Sequence, residues 1–262
     1  MPSTYAHYCL GRDIKEIAEG KIREIISENT DCFMLGLHGP DLLFYYKPLG
    51  RNGINSKGYA MHEQFASRFF SAAKDIYKER GARAEDEAYL LGFLCHFALD
   101  SAGHPVVNAQ MAEKNLSHTE IETAFDRYLL EKEGRRPLKT DITAHIKNTA
   151  KTRAVAAAYF GITEKQAEKA IKSVKFYNKL LSSGNAFTRG FVKTALKITG
   201  NSKTMYGCML PLKIEQKWQD GIGGLERAYK AAVEKAARLI DNYDGYLCDR
   251  YALSAELDRD FE

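Results

Sequence analysis

The most apolar stretch of the chain carries three groups that an apolar core cannot accommodate unaided. Between Glu85 and Gly103 the expected helix is apolar nearly all round, which places it at the centre of any fold that forms. His96 and Asp100 lie one turn apart on it, and His104 lies a turn further on, so the three form one polar stripe. Burying such groups unpaired costs several kcal/mol. The fold must therefore bring partners to the stripe. Pro105 follows at once. Proline removes a backbone donor and crowds the preceding turn, so the helix is expected to end there.

The next helix repeats the spacing with His118 and Glu122. One His-x-x-x-Asp/Glu pair reads equally well as a helix-stabilising hydrogen bond or as half of a metal site. Two pairs on consecutive helices, with His104 extending the first, favour the metal. Imidazole nitrogen and carboxylate oxygen are ordinary zinc ligands, and a helical turn holds them rigidly.

Helical periodicity dominates elsewhere. Ile14, Ile17, Ile22, Ile25 and Ile26 share a face over Asp13–Glu28. Gly36 to Gly58 reads mostly as loop, with a short apolar helix near Leu42–Tyr46. Further helices are expected at about Tyr59–Arg80, Thr140–Phe160, Ala186–Ile198 and Ile222–Asp249, with loop over Gly200–Gly221. Ser117 with Glu120, and Thr163 with Gln166, fit capping boxes; the second opens a helix to about Leu181. No strand-length alternation, internal repeat or dividing linker occurs. The pattern predicts an all-α, compact multi-helical single domain over residues 1–262, with the chemistry in about 1–130 and lysine-rich amphipathic helices in about 131–262.

The net charge is only +4, with 45% hydrophobic and 27% charged residues. This composition suits a globular protein and does not by itself point to nucleic acid. Met1–His7 has no secretion-signal pattern, and no run of about 20 apolar residues suggests a bilayer span. Five scattered cysteines form no CxxC pair. Reduced thiols and a cytoplasmic location are the resulting expectations.

An ordered set of motifs adds to this reading: Ala6-His7, Gly39-Pro40-Asp41, His62, His96-x-x-x-Asp100-x-x-x-His104 and His118-x-x-x-Glu122. Together they resemble the bacterial zinc-dependent phospholipase C family, which is related to single-strand-specific nucleases. The resemblance covers roughly residues 1–125. It implies an all-helical fold of the phospholipase C/nuclease type and a zinc-dependent phosphodiester hydrolase. It implies one zinc on Asp41, His62, His96 and Asp100, and a second on His104, His118 and Glu122. A third would use His7 and share Asp100. Relatives complete that third site with a processed N-terminal tryptophan, which has no counterpart here. Two to three ions are therefore expected, with the Pro2 nitrogen as a substitute ligand after loss of Met1.

By the same resemblance Asp41 is the catalytic residue, orienting or deprotonating the attacking water. The choline-binding box of some relatives is incomplete. Leu42 stands where an aromatic is found, Tyr59 fits a second aromatic position, and the acidic member is missing. The implied substrate is a phosphodiester, lipid or otherwise, and peripheral membrane contact is an open reading. A nuclease or nucleotidase, and a non-catalytic helical domain with a structural metal cluster, are the alternatives; nucleic acid is the less favoured partner. His38, close to Asp41, is a candidate substrate contact beside Tyr59, though a backbone-bonded loop histidine is the blander reading. His145 receives no role. Lys165, Lys169, Lys172, Lys175 and Lys179 read first as a solvated face, and second as a membrane or nucleic-acid contact.

Overall fold

The structure, a computed structural model, describes residues 4–198 and 206–261. Among these are twelve α-helices and no strand, so the all-α expectation is borne out. At the centre runs α7, Ala84–Lys114, in which every residue from Asp86 to Ser101 is buried. By length and composition alone α7 could cross a bilayer, but 83% of its most apolar window is covered by protein. It is a core rod, packed mainly against Gln219–Leu247 (α12) and Thr30–Gly36 (α3).

The crossing of α3 and α7 is made of backbone. A Cβ on Gly36 would collide with the Tyr89 carbonyl oxygen, and one on Gly92 with the Phe33 carbonyl oxygen. Only residues without a side chain permit that approach. It sets the turn after α3 directly over His96. Gly39 sits there with φ +41°, and a Cβ on it would strike the His96 ring. Asp41 then opens the short helix α4, Asp41–Phe44.

Helix α1, Thr4–Ile17, begins against α8, His118–Lys132. The Asp126 carboxylate accepts hydrogen bonds from the Tyr5 N–H at 3.0 Å and the Ala6 N–H at 2.8 Å. These are donors that a helix start leaves unpaired, and an acid there also suits the helix dipole. Gly53–His62 (α5) and Ala66–Glu79 (α6) flank the other side of the site. Asn52 caps α5 reciprocally with Asn55, through bonds of 2.9 and 3.1 Å.

Several boundaries depart from the sequence reading. The helix expected over Asp13–Glu28 is broken between α1 and α2 (Gly20–Glu28), where Glu19 is extended at φ −128°, ψ 167°. The segment expected as mostly loop from Gly36 to Gly58 holds the short helix expected near Leu42–Tyr46, which is α4, but also the end of α3 and the start of α5. The helix expected over Tyr59–Arg80 is α5 and α6, interrupted at residues 63–65.

Helix α7 does not stop before Pro105 but continues to Lys114. One lost backbone bond is outweighed by packing on both sides of the proline, where Gly224 of α12 lies against Val106. The actual stop is Asn115, left-handed at φ +52°. Residues 140–149 are irregular chain with a turn at 142–145, and α9 is only Ala150–Phe160, opened by a Thr149–Thr152 capping box. The expected starts at Thr163 (α10, Glu164–Leu181) and Ala186 (α11, Ala186–Ile198) agree with the structure. Part of the loop expected over Gly200–Gly221 lies outside the described residues.

Gly92→Ala is expected to lower unfolding free energy by about 1–3 kcal/mol, the usual cost of overpacking a tight contact. Urea denaturation of the metal-free protein measures this. An unchanged midpoint would mean that the crossing can relax.

Candidate metal centre

His96, Asp100 and His104 occupy consecutive turns of α7, and all three are buried. Four other segments deliver partners to them. From α1, His7 Nε2 lies 3.2 Å from Asp100 Oδ1. From α4 and α5, Asp41 Oδ1 and His62 Nε2 meet at 3.1 Å. His62 Nε2 is also 3.7 Å from Asp100 Oδ2, and His96 Nε2 is 3.0 Å from that same oxygen. From α8, Glu122 Oε1 lies 3.1 Å from His118 Nε2 and 3.7 Å from His104 Nε2. The two oxygens of Asp100 thus face different histidines, one towards His7 and the other towards His62 and His96.

Backbone carbonyls orient three of these rings. His62 Nδ1 is 2.9 Å from the Gly58 carbonyl oxygen, His96 Nδ1 3.2 Å from that of Leu37, and His104 Nδ1 2.6 Å from that of Phe261. A carbonyl can only accept, so each Nδ1 donates and each Nε2 is aimed at the cluster. This arrangement typically fixes the tautomer of a metal-binding histidine.

The ligand-facing atoms are left over by the protein itself. Asp41 Oδ1, His62 Nε2, His96 Nε2, Asp100 Oδ2 and His118 Nε2 are buried without a hydrogen bond of acceptable geometry. They crowd together at distances too misaligned for hydrogen bonds. Donor atoms on one zinc each sit about 2.0–2.2 Å from it, so they lie no more than roughly 4.4 Å apart. The separations above are of that size. Three sets could each hold an ion: His7, His96 and Asp100; Asp41, His62 and His96; and His104, His118 and Glu122. His96 belongs to two of them. The residues present fit zinc in type, burial and spacing. Met1 and Pro2, invoked for the third site, lie outside the described residues.

Electrostatics in the metal-free protein follow from this crowding. Burial alone would depress the pKa values of His62 and His104. The Asp100 and Asp41 carboxylates beside its Nε2 override it at His62, raising it to about 10. Asp100 and Glu122 raise His104 to about 9. Burial would raise Asp100, but His96 and His104 hold it well below the usual carboxylate range. Burial leaves His96 lowered.

The two candidate substrate contacts part company. Tyr59 is half-exposed and lies against Phe44, ring centroids 4.3 Å apart, while Phe44 stacks on His62 at 5.2 Å. His38 instead turns its Nε2 to His145 Nε2 at 2.8 Å, so it is bound by a side chain and not only by backbone. His145, expected on a polar helix, lies in a turn and stacks on Tyr8 at 4.6 Å. Burial pushes His38 well below its ordinary range and His145 to about 3, so both are neutral at pH 7.

Two supports for the site were not foreseen from sequence. Asp126 anchors the backbone just before His7. Phe261, fully buried, offers its carbonyl to His104 and places its ring 5.3 Å from that of His62. Its N–H donates to the His62 carbonyl at 3.3 Å, and Arg259 accepts from the Ala66 N–H at 2.8 Å. The final described residues therefore lace the two halves of the cluster together.

A family model of zinc-dependent phospholipase C matches residues 6–185. The match extends past the segment 1–125 in which the motifs lie, to just beyond the end of α10. No curated protein and no solved structure matches the chain with significance.

Zinc binding at pH 7.5 is expected to release about two protons, since His62 and His104 must give up theirs. Calorimetry in buffers of different ionisation enthalpy counts them. In the metal-free protein both groups bind protons more tightly folded than unfolded. The stability they contribute is complete below about pH 6.5 and lost as pH rises through about 9–10. Phe261→Ala is expected to cost about 3–5 kcal/mol and to weaken zinc retention. Denaturation with metal analysis after dialysis tests both; a stable, fully loaded variant would leave Phe261 no part in the site.

Proposed function

The chain belongs to the zinc-dependent phospholipase C family, and from that premise we propose that it hydrolyses a phosphodiester of a phospholipid. The observation that carries this reading is the convergence of imidazole and carboxylate groups from α1, α4, α5, α7 and α8 into three sets that could each hold an ion. His7, Asp41, His62, His96, Asp100, His104, His118 and Glu122 would hold two or three zinc ions. Bound zinc supplies Lewis acidity, lowering the pKa of a bound water and neutralising charge that builds on phosphoryl oxygens.

The chain's own residues supply the rest. Asp41 is buried, with one oxygen against His62. Burial would raise its pKa, but the His62 and His96 imidazoles hold it below the usual carboxylate range. A carboxylate that stays ionised through neutral pH is a constant hydrogen-bond acceptor, so Asp41 would orient the attacking water by accepting its hydrogen bond. Asp100 ties two ligand groups through its separate oxygens, and the Gly58, Leu37 and Phe261 carbonyls keep the rings from turning. Phe44 screens His62 from solvent on one side.

An apolar groove adjoins the cluster at Phe44 and Tyr59. It suits the fatty part of a lipid better than a sugar-phosphate backbone, which favours a lipid over nucleic acid. Leu42, at a position where choline-selective relatives carry an aromatic, leaves the head group open to chemistries other than choline.

Asp41→Asn is expected to lower hydrolysis of an aryl phosphodiester and of phospholipid by roughly 10²-fold or more, the usual contribution of a positioned base. Fold and most of the zinc should be retained. Chelation should abolish turnover in the wild type. Wholesale unfolding of the variant would support a structural cluster instead. Release of mononucleotides from single-stranded nucleic acid without lipid turnover would support the nuclease.

A further inference from the structure

The groove beside Phe44 continues onto a surface that neither the family match nor the metal cluster accounts for. Helix α11 begins just past the matched region. Its inner face packs Val192 and Leu196 against Leu180, Leu181 and Met209, an apolar cluster separate from the main core. Its outer face carries Phe187, 85% exposed, and, one turn on, Phe191, 65% exposed. Two aromatic rings so fully in water, on one stripe of a helix, call for something to cover them.

Phe191 also lines the groove, with Phe44, Leu49, Tyr59, Leu181 and Leu196. Leu49 at the rim is 63% exposed. The opposite wall is α4, which begins at Asp41. The exposed apolar face therefore runs into the groove, and the groove reaches the cluster's edge at Phe44, whose ring stacks on His62.

Charge indicates what covers this face. Between Glu168 and Glu215 the chain has nine Lys and Arg and no Asp or Glu. Lys193 and Lys197 are exposed on α11 itself, flanking the aromatic stripe. A helix with aromatic residues on one side and lysines beside them is the pattern of an element that lies in the plane of an anionic membrane. A protein partner would explain the two rings but not the exposed Lys193 and Lys197 beside them.

We propose that α11 docks this chain on an anionic phospholipid surface, with Phe187 and Phe191 entering the apolar layer, Lys193 and Lys197 at the head groups, and the groove taking an acyl chain of the lipid whose phosphodiester reaches Asp41. The last part rests on the phospholipid reading above. Docking itself does not.

The test is co-sedimentation of zinc-loaded protein with vesicles of phosphatidylcholine, with and without phosphatidylglycerol. The wild type is expected to bind the anionic vesicles at least about tenfold more tightly. Phe187→Ser should weaken that binding at least about tenfold, and Lys193→Glu with Lys197→Glu should remove the preference for phosphatidylglycerol. Hydrolysis of a water-soluble aryl phosphodiester by Phe187→Ser should stay within about twofold of wild type, as for a surface substitution. In Phe187→Trp the added fluorescence should shift to the blue on vesicles and be quenched by brominated acyl chains. Unchanged vesicle binding by Phe187→Ser, or an unquenched Phe187→Trp, overturns the proposal. So does a wild-type dimer that Phe187→Ser converts to monomer, which would make this face a contact between copies. Vesicle binding without turnover of any phosphodiester would sink the hydrolase reading and leave docking standing. Turnover of the soluble ester without vesicle binding would do the reverse.

Discussion

Two helices touching through their backbones set the position of nearly everything that matters in this molecule. Because Gly36 and Gly92 have no side chains, α3 lies directly on α7. The chain leaving α3 is then close enough for the Leu37 carbonyl to reach His96. The turn at Gly39 folds over the imidazole, and Asp41 arrives on the far side of it. A crossing spaced by ordinary side chains leaves helix axes about 8–10 Å apart. At the wider end of that range the carbonyl, the turn and the carboxylate would all withdraw from His96 together. The glycines act on the site through distance alone; they touch no candidate ligand except through the fold they permit.

The cluster itself runs against the usual logic of a core. Polar atoms in an interior are normally paired. Here the donors of the rings are paired with backbone while the opposite nitrogens are turned towards carboxylates at poor angles. Without a cation the arrangement retains protons on His62 and His104 to balance Asp41, Asp100 and Glu122. A divalent ion replaces those protons with charge placed between the ligands. Metal and proton thus compete for the same nitrogens.

How much of this could be read in the sequence depended on whether the controlling interaction was local. The His96 and His118 pairs were legible because four-residue spacing on a helix is a local fact. The capping boxes at Thr149 and Thr163 are equally local, yet only the second was read, because the polar segment before Thr149 carries enough helical pattern to hide the break. Pro105 misled for the converse reason. Its intrinsic penalty is local, while the packing of α12 that overrides it comes from more than a hundred residues away. Asp126 and Phe261 left no signal at all. An aspartate inside an amphipathic helix and a phenylalanine in a short acidic tail look unremarkable until the fold sets one at the start of α1 and the other between His62 and His104. Ser117 was half legible. It caps α8, but Glu120 bonds Trp218 and Lys217 instead of completing the box.

The tether at Phe261 has a consequence for biosynthesis. While the chain is emerging from a ribosome, the His96 and His118 pairs can each form as soon as their own helices do. The carbonyl that steadies His104 belongs to a residue translated 157 positions later. A cation met before that contact closes would find the His104 ring loosely held. Any metal held through His104 would therefore depend on the closure of a contact far apart in sequence, which is slow to form.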